Sequence, residues 1–174
     1  MYGLIAAEAS IFTIFVVAYI FYLGKSATGP QPSAVLRVPV FLTVCLLSSS
    51  LTIHFAGQSL KRGRLRPFTF WWLSTVLLGG IFLGGTAREW RHLIYDEGLT
   101  IQSNLFGTTY YSLVGLHAFH VVVGLAALTV VLAFALYGRV QREHAERVEV
   151  LSMYWHFVDS VWVVVFIVVY LIGR

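Results

Sequence analysis

The chain has 174 residues, of which 58% are hydrophobic, 16% are aromatic and 11% are charged. This composition is far from that of a soluble globular domain and indicates a membrane protein with one core of a few helices. The formal net charge of +4 comes from basic residues in short stretches between apolar runs, which favours topology signals over a nucleic-acid-binding surface.

Five apolar segments are long enough to cross a bilayer as helices. They are continuously apolar and do not alternate in hydrophobicity, so helices are preferred over the strands of a barrel. The first run has no basic region before it and no obvious cleavage site after it, so we expect a span and not a removed signal peptide. We predict an all-α polytopic membrane protein with a single domain over residues 1–174, a bundle of five transmembrane helices. The predicted spans are Gly3–Leu23, Leu36–Leu60, Phe68–Arg88, Leu105–Tyr137 and Val150–Ile172.

Four polar stretches separate the predicted spans. Ser26–Ser33 is rich in Pro, Gly and Ser and predicts a turn, while Lys61–Pro67 places a proline at an early position of the third helix. His92–Asn104 reads as a longer polar connection. Gly138–Glu149 carries mixed charge that can extend the adjoining helices into water.

The basic residues predict the orientation of the chain in the membrane. Short loops rich in Lys and Arg stay in the cytoplasm, and KRGRLR at residues 61–66 is the strongest such loop. We therefore expect the N-terminus in the cytoplasm and the C-terminus outside. The cytoplasmic connections would hold Lys61, Arg62, Arg64, Arg66, Arg139, Arg142 and Arg147, and the opposite face would hold Lys25, Arg37, Arg88, Arg91 and Arg174.

Several ionisable residues lie inside the apolar runs. Such residues are costly in a membrane and usually face protein and have a partner. His117 and His120 are three residues apart, as are His156 and Asp159, so each pair lies on one helix face. A carboxylate of the first span could pair with a histidine of the fourth, and helix ties or a proton-related role would both explain the set. Its members are Glu8, His54, His117, His120, His156 and Asp159.

A haem or metal site is the alternative for these histidines. Transmembrane cytochromes need axial histidines that face each other on two helices. Two histidines three residues apart on a straight helix are poorly placed for one small metal ion, and no di-metal carboxylate motif is present. Cys45 is the single cysteine, which excludes an intrachain disulfide and a thiolate cluster. We therefore predict no catalytic residue, no cofactor-binding residue and no metal ligand in this chain.

Aromatic and charged residues near the span ends have simpler interpretations. An interfacial aromatic belt is predicted for Trp71, Trp72, Trp90, Tyr154 and Trp155. A solvated helix face is predicted for Glu143, Glu146, Arg147 and Glu149 by their spacing. The KRGRLR loop is a minimal cluster for anionic lipid head groups.

Two long stretches resemble subunit III of the haem-copper terminal oxidases. They are LFGTTYYSLVGLHAFHVVVG at Leu105–Gly124 and YWHFVDSVWVVVFIVVYLIG at Tyr154–Gly173, the second of which contains Trp155. Shorter matches to the family lie in the same order along the chain, so the resemblance covers essentially all of it. They are AAEASIF around Glu8, SLTIHFA around His54, AREW around Glu89, and the pair His144 and Glu149 before the last span.

The resemblance implies an accessory role in a larger complex. The family subunit holds no haem or copper; it packs against the catalytic subunit I, which belongs to the same complex as the electron-entry subunit II. It helps to sustain proton uptake, protects the complex from inactivation and binds phospholipid in a cleft. By resemblance, Glu8 is the buried carboxylate near that cleft, with a histidine of the fourth span close by. Contacts to lipid or partners are implied for His144, Glu149 and the loop with Arg62 and Arg64.

The same resemblance sets the expected function and the alternatives. We expect a non-catalytic subunit of a proton-pumping oxidase in the bacterial inner membrane, with haems and copper in partner subunits and with cytochrome c or quinol as electron donor. The sequence begins at the family's third helix, so the two-helix wall of the lipid cleft is expected to be absent or supplied by a partner. Two alternatives stay open: an autonomous haem-binding membrane cytochrome, and the nitric oxide reductase accessory protein of the same fold.

Overall fold

The computed structural model describes residues 2–25, 36 and 38–173, and these residues are helical apart from short connections. The predicted turn Ser26–Ser33 and the basic residues Arg37 and Arg174 lie outside the described residues. Within the described residues five helices are long and apolar enough to cross a membrane, which confirms the predicted fold class. The helices are α1 (Tyr2–Tyr22), α2 (Val40–Lys61), α3 (Leu65–Tyr95), α4 (Leu105–Leu136) and α5 (Ala145–Phe166).

The last span has irregular helical turns at both ends. A short 3-10 turn, Arg142–His144, precedes α5, and a π-helical segment, Ile167–Ile172, continues it. A wider π-helical turn shifts the register of the side chains that follow, and such turns are uncommon in proteins. The span thus changes its side-chain register after Phe166.

Helix ends differ from the predicted span ends where charge begins. α3 continues to Tyr95, whereas its apolar run ends near Arg88. α5 begins at Ala145, whereas its apolar run begins near Val150. Charged residues of these turns are good helix formers, so the loss of hydrophobicity marks the expected edge of the lipid and does not end the helix. The polar connection after α3 is therefore shorter than predicted and covers Asp96–Asn104.

Glycine closes α2 and α4 in the same way. Gly63 and Gly138 have φ angles of 70° and 68°, in the left-handed region that glycine tolerates best. The next residue then donates its N–H to a carbonyl of the last helical turn, from Arg64 to Ser59 and from Arg139 to Phe134, at 2.9 Å in both cases. These bonds satisfy carbonyls that a helix end leaves without partners.

The chain divides into two compact units. The first contains the described residues of Met1–Pro39, Gly85–Phe119 and Ser160–Arg174, and its core is aromatic. The second contains Val40–Gly84 and His120–Asp159. The buried aromatic residues of the first unit include Tyr19, Tyr110, Trp162 and Tyr170, and those of the second include Phe68, Trp72, Phe82 and Trp155.

Candidate functional site

A polar cluster of the second unit is centred on Ser50 of α2. The Ser50 hydroxyl donates a short hydrogen bond to Oδ2 of Asp159. Its oxygen also lies 3.0 Å from Nδ1 of His156. His156 and Asp159 reach the same hydroxyl because residues three apart lie on one face of α5. Asp159 is 3% exposed, so this serine supplies a partner to a carboxyl group that is almost fully buried.

A cavity of about 210 Å³ lies beside this cluster, between the C-terminal half of α2 and the N-terminal half of α5. Its polar lining includes His54, Gln58, Lys61, Glu149 and His156. Gln58 Nε2 lies 2.8 Å from His54 Nε2, and Lys61 donates to Glu149 Oε1 at 2.8 Å. The lysine and glutamate side chains are 54% and 50% exposed, so they lie at the open end of the cavity.

Trp155 is buried in the second unit and is not part of an interfacial belt. Its side chain is 0% exposed, and its Nε1–H donates to Ser49 Oγ at 2.8 Å. Trp72 is also 0% exposed and donates to the carbonyl of Leu128 at 2.9 Å. The prediction of an interfacial belt is therefore wrong for these two residues. Each indole N–H donates a hydrogen bond inside the protein and does not need a partner among the lipid head groups. Trp71, Trp90 and Tyr154 are half-buried.

The two histidines of α4 have different surroundings. In the first unit His117 is 1% exposed, stacks on Trp162 with ring centroids 5.0 Å apart, and meets the edge of Phe12 at 6.5 Å. In the second unit His120 is 7% exposed, and its backbone carbonyl accepts a hydrogen bond from the Tyr154 hydroxyl at 3.4 Å.

Glu8 lies one turn before Phe12 on α1 and is half-buried. The ring of Phe12 meets that of His117, so this part of α1 lies near the fourth span within the first unit. The pairing of Glu8 itself with a histidine stays a prediction.

Glu89 ends a chain of hydroxyl groups in the first unit. The Tyr170 hydroxyl donates to Glu89 Oε1 at 3.4 Å and lies 3.3 Å from the Tyr110 hydroxyl. Both tyrosines are buried, with exposed fractions of 2% and 0%. A half-buried carboxylate and two buried phenols thus satisfy one another.

The basic connections lie at the surface of the second unit. Arg62 and Arg64 are exposed, and the charged turn from Glu143 to Glu149 exposes its acidic side chains as predicted. His144 is half-buried and accepts a hydrogen bond from the N–H of Gln141 at 3.1 Å. It borders a cavity of about 360 Å³ that is also lined by Arg139, Arg147, Val131, Phe134, Val140 and Val148.

No three His, Cys, Asp or Glu side chains lie close enough together to hold a metal ion within residues 2–25, 36 and 38–173. The hydroxyl of Ser50 lies within hydrogen-bond distance of His156. The side-chain amide of Gln58 lies within hydrogen-bond distance of His54. His117 contacts the ring of Trp162. In the described structure these imidazoles contact protein groups of their own compact units.

Residues 6–174 match the sequence model of the family described as "Cytochrome c oxidase subunit III". The chain belongs to the cytochrome c oxidase subunit III family. The predicted resemblance to subunit III of the haem-copper oxidases is confirmed.

Relatives from several bacteria agree with this assignment. The chain is 33% identical over 171 residues to the cytochrome c oxidase subunit 3 of Alkalihalophilus pseudofirmus, covering 97% of this chain and 83% of that one. It is 40% identical over 139 residues to the cytochrome c oxidase subunit 3 of Corynebacterium diphtheriae, covering 79% and 67%. It is 29% identical over 171 residues to the quinol oxidase subunit 3 of Bacillus subtilis, covering 97% and 83%.

Three residues of this subunit III chain that carry polar contacts were not singled out as site candidates from the sequence. Ser50 lies in a run of three serines, and Tyr110 and Tyr170 lie in apolar runs. The signal for Ser50 was its place on α2, one turn before His54, and therefore on the helix face that carries that histidine. Nothing in the local sequence distinguishes Tyr110 from Tyr111.

Proposed function

We propose that this chain is the non-catalytic subunit III of a haem-copper terminal oxidase in a bacterial inner membrane. In this role it packs against the catalytic haem-copper subunit I of a complex that also contains the electron-entry subunit II. It stabilises the catalytic subunit and supports proton uptake while oxygen is reduced. The match of residues 6–174 to the subunit III family carries the proposal. The haems and the copper belong to the partner subunits.

The exposure of α1 supports docking to another membrane protein. Ile14, Val17 and Phe21 are 67%, 58% and 60% exposed, and they lie in the C-terminal part of a mostly apolar helix. Exposed apolar side chains of a membrane helix must be covered by lipid or by a second protein. A partner subunit can therefore pack on this chain without a polar interface.

Purification through a tag on this chain in mild detergent tests the proposal. We expect a haem-copper catalytic subunit and its electron-entry subunit to co-purify, identified by mass spectrometry. A copper motif in the electron-entry subunit would indicate cytochrome c as the donor, and its absence would indicate quinol. Recovery of the chain alone with a haem Soret band would contradict the proposal and favour a cytochrome.

Glu8→Ala tests the role of the half-buried carboxylate of α1. Its removal should leave the haem content of the purified complex intact but lower the yield of complex or the number of turnovers before inactivation, because the proposed pair of Glu8 with a histidine of the fourth span would be lost. Glu146→Ala is the control, since Glu146 is exposed on α5. Loss of haem, or equal behaviour of the two variants, would contradict this role.

The orientation of the chain belongs to the same proposal. The exposed Arg62 and Arg64 support a cytoplasmic connection between α2 and α3. Cysteine introduced at Arg64 should be protected from a membrane-impermeant maleimide in intact cells, whereas cysteine at Ser103, after α3, should be labelled. The native Cys45 is buried and gives little background. The reverse labelling pattern would invert the topology.

A phospholipid is a further proposed partner. The cavity lined by Arg139, His144 and Arg147 joins basic side chains to apolar ones, which suits a phosphate group above acyl chains. Replacing Arg139 and Arg147 by Gln should lower the phospholipid retained by the purified complex, measured by lipid mass spectrometry. The same exchange at Arg62 and Arg64 is the matched control. Unchanged lipid content in the Arg139 and Arg147 variant would contradict this site.

A further inference from the structure

The cavity between α2 and α5 leads to a buried carboxyl group through two hydrogen-bonding side chains. His156 lines the cavity and lies 3.0 Å from the Ser50 hydroxyl through its Nδ1 atom. The Ser50 hydroxyl in turn hydrogen-bonds to Asp159 Oδ2. Asp159 is 3% exposed, and its other oxygen, Oδ1, has no hydrogen-bond partner in the described part of the chain. The carboxyl group is thus linked to the cavity by an unbroken row of groups that carry exchangeable protons.

We propose that His156 and Ser50 form a proton relay that loads and unloads Asp159 from water in this cavity. The site is part of this chain alone, and the inference does not depend on which oxidase subunit the chain contacts. Its ligand is a proton, delivered by water molecules that the cavity has room to hold beside His54, Gln58 and His156. Imidazole is suited to this task because each ring nitrogen can either donate or accept a proton.

The transfer balances without any further reactant. In the loading direction, Nε2 of His156 takes a proton from a hydronium ion in the cavity, which leaves a water molecule, and the Nδ1 proton moves to the Ser50 oxygen. The original Ser50 proton moves to Asp159 Oδ2. His156 and Ser50 each lose one proton and gain one, so neither changes its charge. Asp159 gains one O–H bond, and the total charge of the three groups rises by one. The histidine then accepts a hydrogen bond from Ser50 instead of donating one.

The charged residues of this unit explain why the relay ends at Asp159. From α2 and α5, His54, Lys61 and Glu149 line the same cavity, and the lysine is held by the glutamate at 2.8 Å. Elsewhere in this unit, α4 carries the buried His120 and α3 carries the exposed Arg66 at its start, and neither side chain lines the cavity. The salt bridges of the described residues do not include Asp159. A buried carboxylate without a countercharge is costly, so an exchangeable proton relieves that cost.

Infrared spectroscopy of the intact complex tests the relay. The complex is held on an internal-reflection crystal while the buffer is changed from H2O to D2O, and the carboxylic C=O band lost in Asp159→Asn is assigned to Asp159. Ser50→Ala should slow deuterium exchange of this band about 100-fold, the size of effect that a positioned proton-transfer group provides. Ser50→Thr keeps a hydroxyl and should exchange at the wild-type rate.

The matched control is Ser59→Ala on the same helix, because the Ser59 hydroxyl donates to the carbonyl of Phe55 one turn earlier on α2. It should exchange at the wild-type rate. His156→Gln should slow exchange as Ser50→Ala does. The proposal is overturned if Ser50→Ala exchanges at the wild-type rate, if Ser50→Thr is as slow as Ser50→Ala, or if no band responds to Asp159→Asn at any pH at which the complex is intact.

Discussion

Gly124→Ala is the substitution whose cost the structure defines best. A methyl group at Gly124 would lie 2.9 Å from Cε3 and 3.0 Å from Cζ3 of Trp155, well inside the 3.5–4.0 Å at which carbon atoms attract. Trp155 is 0% exposed, and its indole N–H is fixed on Ser49 at 2.8 Å, so the ring has little room to retreat. Tyr154 adds a third contact at 3.2 Å.

The expected magnitude follows from two opposing terms. Overpacking a buried site costs about 1–3 kcal/mol, while replacing a helical glycine by alanine returns about 1 kcal/mol. We therefore expect Gly124→Ala to lower the free energy of unfolding by about 1 kcal/mol. Gly80 is the matched control, because a methyl group there meets nothing within 4 Å. Gly80→Ala should gain up to about 1 kcal/mol, so the two variants should differ by about 2 kcal/mol, which is roughly 30-fold in the unfolding equilibrium.

The assay is titration of the purified chain in dodecylmaltoside micelles with SDS, followed by tryptophan fluorescence. Gly79→Ala should fall between the two variants, since its methyl group would lie 3.0 Å from two atoms of the same indole. In a Trp155→Leu background the penalty of Gly124→Ala should disappear, because the ring that causes the clash is gone. A Gly124→Ala protein as stable as Gly80→Ala would refute the reasoning.

Three further predictions concern the polar contacts of the second unit. Asp159→Ala should cost about 1–3 kcal/mol and lower the recovery of this chain in the complex, because it leaves the half-buried Ser50 hydroxyl without its acceptor; full recovery in mild detergent would count against it. Trp72→Phe should cost about 1 kcal/mol in the SDS titration through the lost hydrogen bond to Leu128, and an unchanged midpoint would show that this bond contributes nothing. Lys61→Gln should cost less than about 1 kcal/mol, because the pair with Glu149 is half exposed, and the effect should vanish at high salt; a larger loss than that of Trp72→Phe would contradict this estimate.

The sequence by itself determined that the chain crosses the membrane five times and which family it belongs to. Long apolar runs can be satisfied in lipid only as helices, so run length predicts the spans without any knowledge of packing. The motif from Tyr154 to Trp162 and the pair His117 and His120 are specific enough to indicate the family, which the match of residues 6–174 confirms. The predicted ends of α3 and α5 were less accurate, because hydrophobicity indicates which residues can lie in lipid and not where the helix begins or ends.

Only the tertiary structure decided which face of each span is buried and what its polar groups contact. Lipid and protein interior are both apolar, so the sequence of a membrane helix carries little contrast between the face that packs and the face that meets lipid. This is why Trp155 was assigned to a belt although it fills the space against Gly79 and Gly124. It is also why Ser50, one small residue in a run of three serines, could not be identified as the group that joins His156 to Asp159 until α2 and α5 were seen together.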